Sequence, residues 1–285
     1  MSSEQITKSY ILDSGPLPKP SPELSDDVLS LFSLKGKVAV VTGASKGIGF
    51  AIAEAYASAG ATVIIYYNST PVEAKVEYLK KKYGVQVKEY KCQVDNMKEI
   101  AKTTELVLEE FGKIDIFVAN AGIAWDSKDI LNIEDDEEAA LEWKKLFQVD
   151  VDSVHYCARS IGKVFKKQGY GSFIVTASIS AHIVNIPQFQ APYNSCKAAV
   201  LHYAKSIAIE WAGFARVNTI SPGYVKTEMV ENLPKGLMEE WCKFIPLGRL
   251  ALPKELVGAY LYLASDASTY CTGTDIKIDG GYCSI

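Results

Sequence analysis

From Lys37 onward the chain alternates short apolar runs with longer segments of helical period. Val38, Ala39, Val40 and Val41 form an unbroken apolar run, the pattern of a strand covered on both faces. Short segments rich in apolar residues, some interrupted by polar ones, predict strands at residues 63–67, 87–92, 114–118, 172–177, 216–220 and 275–278. Between them, apolar positions recur at three and four residues with charged residues elsewhere. That period predicts a helix running from the turn after the first strand to about residue 58, with others over 71–83, 97–111, 138–147, 150–167, 193–211 and 254–264. Strands alternating with helices of this length build right-handed crossover units. The expected architecture is therefore α/β: a doubly wound parallel sheet in a single domain over residues 35–285. Residues 1–34 read differently. Pro16, Pro18, Pro20 and Pro22 alternate with other residues as in an extended arm, and Leu29, Leu31, Phe32 and Leu34 are placed to anchor its end.

Composition narrows the function classes. Of 285 residues 48% are apolar and 22% charged, and the net charge is −4, which gives no basic surface for nucleic acid or anionic lipid. No apolar run approaches the ~20 residues needed to span a bilayer. Six cysteines without C-x-x-C pairing read as reduced thiols, and the N-terminal stretch lacks the basic lead and apolar core of a signal peptide. A cytoplasmic protein with a small-molecule substrate is expected. His155, His182 and His202 lack ligand spacing, so no metal site is expected.

The turn after the first strand is Thr42-Gly43-Ala44-Ser45-Lys46-Gly47-Ile48-Gly49. Glycines there let the backbone approach a pyrophosphate, and the following helix offers N–H donors and the positive end of its dipole. NAD sites usually place a carboxylate on the ribose 2′-hydroxyl at the end of the second strand. Here that place reads Tyr67-Asn68-Ser69-Thr70, with no carboxylate to repel a phosphate, and Lys46 stands in the glycine loop. Asn68 and Ser69 add hydrogen-bond donors, so the residues favour NADPH/NADP+. Further on, Tyr193 and Lys197 stand four residues apart at the head of a helix, about one turn, and share a face. An ammonium beside a phenol stabilises the phenolate and pulls its pKa down from ~10. Such a pair is a general acid/base for a reacting oxygen.

Taken together, Thr42-Gly43-x3-Gly47-x-Gly49, Asn120-Ala121-Gly122, Ser178, Tyr193-x3-Lys197, Ser221-Pro222-Gly223 and Asp279-Gly280-Gly281 resemble the short-chain dehydrogenase/reductase family in order and spacing. The resemblance covers residues 35–285 and implies a Rossmann-type fold. It is nearest to yeast and fungal carbonyl reductases of the sorbose reductase and NADP-mannitol dehydrogenase group, through Ser178-Ile179-Ser180-Ala181-His182 and Ala191-Pro192-Tyr193-Asn194 among other stretches. It implies catalytic roles for Ser178, Tyr193 and Lys197. The cofactor residues it implies, with those read from the glycine turn, are Gly43, Ser45, Lys46, Gly47, Ile48, Gly49, Asn68, Ser69, Gln93, Val94, Asn120, Ala121, Gly122, Tyr193, Lys197, Pro222, Gly223, Val225 and Thr227. It also implies a homotetramer whose long helices pair across an interface, and a mobile substrate lid over residues 224–247.

The implied activity is NADPH-dependent reduction of a ketone or ketose to a secondary alcohol, reversibly, with L-sorbose or fructose as first substrates. The alternatives are an NAD-linked polyol dehydrogenase and a non-catalytic NADP(H)-sensing protein of the same fold. Two departures from the family stand out. Asp150 occupies the position of an Asn that anchors a relay water in many members. Ser178 and Tyr193 are fifteen residues apart where thirteen is usual, with Ser180 a second candidate for the hydroxyl. Trp125, after the Asn-Ala-Gly turn, is a candidate pocket wall or equally an aromatic lid over the core.

Overall fold

Seven strands form one sheet in the order β3-β2-β1-β4-β5-β6-β7, every neighbouring pair parallel. A computed structural model describes residues 21–125, 129–228 and 236–284. The strands are β1 (Val38–Thr42), β2 (Thr62–Tyr67), β3 (Val87–Lys91), β4 (Ile116–Ala119), β5 (Ser172–Thr176), β6 (Arg216–Pro222) and β7 (Asp275–Ile278). Among the described residues, eight α-helices join and cover them: α1 (Gly47–Ser58), α2 (Glu73–Tyr83), α3 (Met97–Phe111), α4 (Asp136–Phe147), α5 (Ser153–Gln168), α6 (Ala191–Trp211), α7 (Leu237–Phe244) and α8 (Pro253–Ala264).

The unbroken apolar strands expected from the sequence have their cause in two cores, one on each face of the sheet. In β1, Ala39 and Val41 point into the core under α1 and α8, while Val38 and Val40 point into the core under α3, α5 and α6. Alternate residues of one strand thus serve opposite layers, which accounts for the unbroken apolar run Val38–Val41. Tyr56 of α1 is fully buried and donates its hydroxyl to the carbonyl of Tyr260 in α8 at 3.1 Å. On the other face Phe117 and Phe173 pack at 6.0 Å between ring centroids.

The order of the strands places the site. The chain winds outward from β1 through β2 to β3, then returns past β1 to continue from β4 to β7. Where the winding reverses, the connections after β1 and β4 leave in opposite directions and open a crevice at the strands' carboxyl ends. The glycine turn and Asn120-Ala121-Gly122 stand at that crevice.

Most boundaries shift by one or two residues from the sequence expectation, and two of the shifts have a clear cause. β4 begins at Ile116, because Asp115 turns its carboxylate onto the N–H of Val38 at 2.7 Å. The helix expected from residue 150 begins as α5 at Ser153, preceded by a π turn over Gln148–Asp152 that runs on from α4. Of the anchors expected for the arm, Leu34 is fully buried and Phe32 packs on Tyr262, whereas Leu29 is exposed. The rest of the arm, residues 1–20, lies outside the described residues.

Candidate active site

The glycine loop is built for close approach. Gly43 and Gly47 hold φ of +63° and +55°, conformations that residues with a Cβ rarely adopt. A Cβ on Gly43 would stand 2.9 Å from Ala121 Cα, and one on Gly49 would stand 2.6 Å from Asn120 Nδ2. The loops after β1 and β4 are therefore in direct contact. Thr42 locks them: its hydroxyl accepts from the N–H groups of Asn120 (2.9 Å) and Ala121 (3.0 Å). Asn120 returns its amide to the Thr42 carbonyl at 3.0 Å and accepts from Thr176 Oγ1 at 3.1 Å. Its side chain is thus a strut joining β1, β4 and β5 beneath the crevice.

Around this floor stand the other expected cofactor residues. α1 turns its N-terminus, from Gly47, Ile48 and Gly49, to the crevice. Asn68 and Ser69 are exposed just past β2, and Lys46 is exposed in the loop. Lys75, in the first half of α2, donates to the Ser45 carbonyl at 2.5 Å with its ammonium 4.7 Å from the Phe50 ring centre. It braces the glycine loop through Ser45, the residue before Lys46. The N–H of Gln93 donates to Glu99 Oε2 at 2.9 Å, and Val94 packs on the core. Past β6, Gly223 donates to the Ile278 carbonyl at 2.9 Å, which seats Pro222 and Gly223 beside β7. Val225 is buried and bridges to Ala251, and Thr227 faces the glycine loop so closely that a Cβ on Gly47 would lie 3.4 Å from its methyl.

Ser178, Tyr193 and Lys197 gather next to this cradle. Ser178 follows the end of β5 and caps a short 3-10 turn, accepting the N–H of Ser180 at 3.1 Å. α6 starts at Ala191, with Pro192 in its first turn where the missing N–H costs nothing. Tyr193 and Lys197 share one face of that helix, the ammonium 5.3 Å from the phenol ring centre. Lys197 is buried, and its Nζ lies 2.9 Å from Asp150 Oδ2, itself buried in the π turn. Asp150 Oδ1 accepts the N–H of Ile123 at 2.8 Å. Trp125, Leu146 and Cys196 form a small core against which Tyr193 and Phe147 pack.

The electrostatics correct one expectation. Lys197 and a hydrogen bond from Ser178 do favour the Tyr193 phenolate, but enclosure by protein outweighs them and Asp150 opposes them, so the phenol lies above its ordinary value. Lys197 in turn is held above the ordinary ammonium range, since the attraction of Asp150 and the Tyr193 oxygen overcomes the cost of its burial. Burial pushes the neighbouring Cys196 thiol up to about 12, a packing group rather than a nucleophile.

Residues 43–283 match the family model described as enoyl-(acyl carrier protein) reductase. The chain is 55% identical over 275 residues to a protein of Yarrowia lipolytica described as a probable NADP-dependent mannitol dehydrogenase, covering 96% of this chain and 98% of that one. It is 54% identical over 269 residues to a sorbose reductase of Candida albicans, covering 94% of each. The crystal structure of an NADPH-dependent 3-quinuclidinone reductase from Rhodotorula rubra matches with a TM-score of 0.90 at 46% identity, over 95% of this chain and all of that one. The chain belongs to the short-chain dehydrogenase/reductase family.

Within this short-chain reductase fold, every site residue expected from the sequence falls at the carboxyl edge of the sheet or in the first turns of α1 and α6. Ser180 does not share the position of Ser178. Its hydroxyl donates to Asn185 Oδ1 at 2.8 Å and accepts from Gln190 at 3.3 Å, and Asn185 donates to Tyr224 Oη at 3.0 Å. The longer Ser178–Tyr193 loop is folded around this buried polar network. Tyr224 also stacks on Trp241 of α7 at 4.2 Å, which fastens part of the segment expected as a lid. Residues 229–235 of that segment lie outside the described residues. Trp125 is a core residue against Tyr193 rather than a free pocket wall. His155 bonds Tyr203 at 2.9 Å and His182 bonds Asp275 at 2.9 Å, so both are surface histidines held by a side-chain partner.

Proposed function

We propose that the protein is an NADPH-dependent ketose reductase that converts a ketone to a secondary alcohol, reversibly. The observation that carries this reading is the convergence of Ser178, Tyr193 and Lys197 beside a glycine cradle with no carboxylate at the end of β2. The residues fit the dinucleotide: Gly43 and Gly49 let the loops after β1 and β4 meet as the floor of the crevice, and the end of α1 with Lys46 and Lys75 supplies positive charge for phosphates. When bound, the nicotinamide supplies the hydride. Gly43, Ser45, Gly47, Ile48 and Gly49 would hold the pyrophosphate; Lys46, Asn68 and Ser69, with Lys75 behind them, the 2′-phosphate; Gln93 and Val94 the adenine. Pro222, Gly223, Val225 and Thr227 would hold the nicotinamide end, and Ala121 and Gly122 its flank.

The chain's own groups do the rest. Tyr193 gives its proton to the carbonyl oxygen. Ser178 donates a hydrogen bond to the same oxygen, stabilising the charge that develops there. Lys197 binds the nicotinamide ribose and keeps a positive charge beside the phenol. Because Tyr193 lies above its ordinary value, it holds its proton at neutral pH. Reduction therefore proceeds at neutral pH and falls as pH rises through the Tyr193 pKa, while alcohol oxidation, which needs the phenolate, rises over the same interval.

L-sorbose or fructose is the first substrate class, supported by the names of the Candida and Yarrowia relatives. NADPH oxidation against ketoses and aryl ketones, with product chirality, tests the reading. The expected result is turnover of a ketose, with kcat/KM for NADPH at least about tenfold above NADH, or about 1.4 kcal/mol of phosphate recognition. Equal values for the two cofactors would contradict the cofactor assignment, and no turnover of any ketose would contradict the substrate class. The protein works as a cytosolic homotetramer in this reading. Among the described residues no helix is long and apolar enough to cross a membrane, and α4 and α6 expose Leu141, Trp143 and Ile209. Light scattering should give four times the chain mass; a monomer would overturn the assembly.

A further inference from the structure

The residue that departs from the family pattern is also the one in closest contact with the lysine. We propose that Asp150 is a positioning residue that neutralises Lys197 and thereby keeps Tyr193 protonated, as a proton donor, through neutral pH. This rests on the reading of Tyr193 as the donor.

Asp150 has no exposed side-chain surface, and the Lys197 side chain is 6% exposed, so their 2.9 Å ion pair is shielded from water and salt. Oδ1 of the carboxylate accepts the N–H of Ile123, and Oδ2 forms the ion pair with Lys197. The backbone crowds it as well: a Cβ on Gly122 would lie 3.1 Å from Oδ2. A π turn presents it, inserted where α4 runs into α5, and such turns mark places where a helix gives up regularity to aim a side chain. An Asn of the same shape would keep the bond from Ile123 but leave Lys197 as a bare cation.

Charge decides the consequence. A lone ammonium beside a phenol favours the phenolate, whereas an ammonium paired with a carboxylate does so far less. Among the described residues, the other groups facing Tyr193 are few. Lys197 and Cys196 lie on α6 with it, Ser178 stands past β5, and Asp150 projects from the π turn. Asp152 in that turn acts on Cys196, and Tyr260 of α8 feels Lys197. Of these, Lys197 and Ser178 favour the phenolate, and Asp150 and Cys196 oppose it, consistent with the raised phenol. In turnover the proton passes from Tyr193 Oη to the carbonyl oxygen as hydride adds to the carbonyl carbon, and solvent reprotonates the phenolate.

The test compares wild type, Asp150→Asn and Asp150→Glu in two readouts. One is the pH dependence of kcat/KM for ketose reduction and for oxidation of the product alcohol. The other is the tyrosinate absorbance titration of the cofactor-free protein, each form measured against its own Tyr193→Phe counterpart. Asp150→Asn should move both kinetic limbs and the tyrosinate step to lower pH by about one to three units. Asp150→Glu, which keeps the charge, should leave them where the wild type has them. If Asp150→Asn does not bind NADPH by fluorescence titration, Asp150→Ser supplies the neutral side chain. Limbs that stay in place when the charge is removed, whatever happens to kcat, would overturn the proposal and leave Asp150 a structural anchor. Failure of the underlying reading looks different: the wild type would not reduce a ketose, or Tyr193→Phe would retain turnover.

Discussion

Ser178 and Ser180, the first and second candidates for the hydroxyl, separate clearly in space. Ser180 is spoken for by Asn185 and Gln190, while Ser178 takes the N–H of Ser180 and favours the Tyr193 phenolate. Ser178→Ala should therefore lower kcat by about 10²-fold, the scale of losing one donor to a developing oxyanion. Ser180→Ala should retain most of that rate and instead lower thermal stability, because Asn185 loses a buried partner at a cost of about 1–3 kcal/mol. Steady-state kinetics and thermal melts of the two variants check this; equal loss of kcat in both would reject the assignment. Tyr193 and Lys197 were legible because helical spacing alone puts them on one face. The sign of the Tyr193 shift was not legible, since it depends on enclosure and on Asp150, a residue more than forty positions upstream. Lys75 was missed for a similar reason. Its only sequence signal is a cation shortly after the acid-free Asn68-Ser69-Thr70 stretch, and its value comes from reaching back to Ser45.

At the scale of elements, the loop–helix joint of β1 and α1 determines whether a dinucleotide is held at all. Gly49→Ala would drive a methyl into Asn120 Nδ2 and the Gly43 carbonyl, forcing the two crevice loops apart. The expected outcome is destabilisation of about 1–3 kcal/mol, as for overpacked sites, with NADPH affinity lowered about tenfold or more. Gly258, inside α8 with nothing within 4 Å of where a Cβ would stand, is the contrast. Alanine there should raise stability by about 0.5–1 kcal/mol and leave NADPH affinity unchanged. Melting curves with fluorescence titration measure both; a destabilised Gly258→Ala would contradict the packing described. Apolar runs and glycine punctuation made most strands and helices readable to within a few residues. The π turn at Gln148–Asp152 was not readable, because its residues continue the helical apolar period while the extra residue only shifts the face. That shift is what turns Asp150 inward.

For the whole molecule, the parallel order of seven strands brings residues from 43 to 227 to one edge, although they come from seven segments well separated in sequence. The alternation of strand and helix was enough to predict that order's parallel character, and the switch point between β1 and β4 follows from it. The buried network of Ser180, Asn185, Gln190 and Tyr224 and the stacking of Tyr224 on Trp241 were beyond reach, since they join α7 to the loop before α6 across the third dimension. The central claim is that this edge carries a ketose reductase with Tyr193 as its proton donor. The most direct measurement is kcat/KM for NADPH-dependent ketose reduction by wild type and Tyr193→Phe, with NADPH affinity measured alongside. The account predicts a loss of about 10²–10⁴-fold in the variant at nearly unchanged NADPH affinity. Turnover by Tyr193→Phe equal to that of the wild type would contradict it.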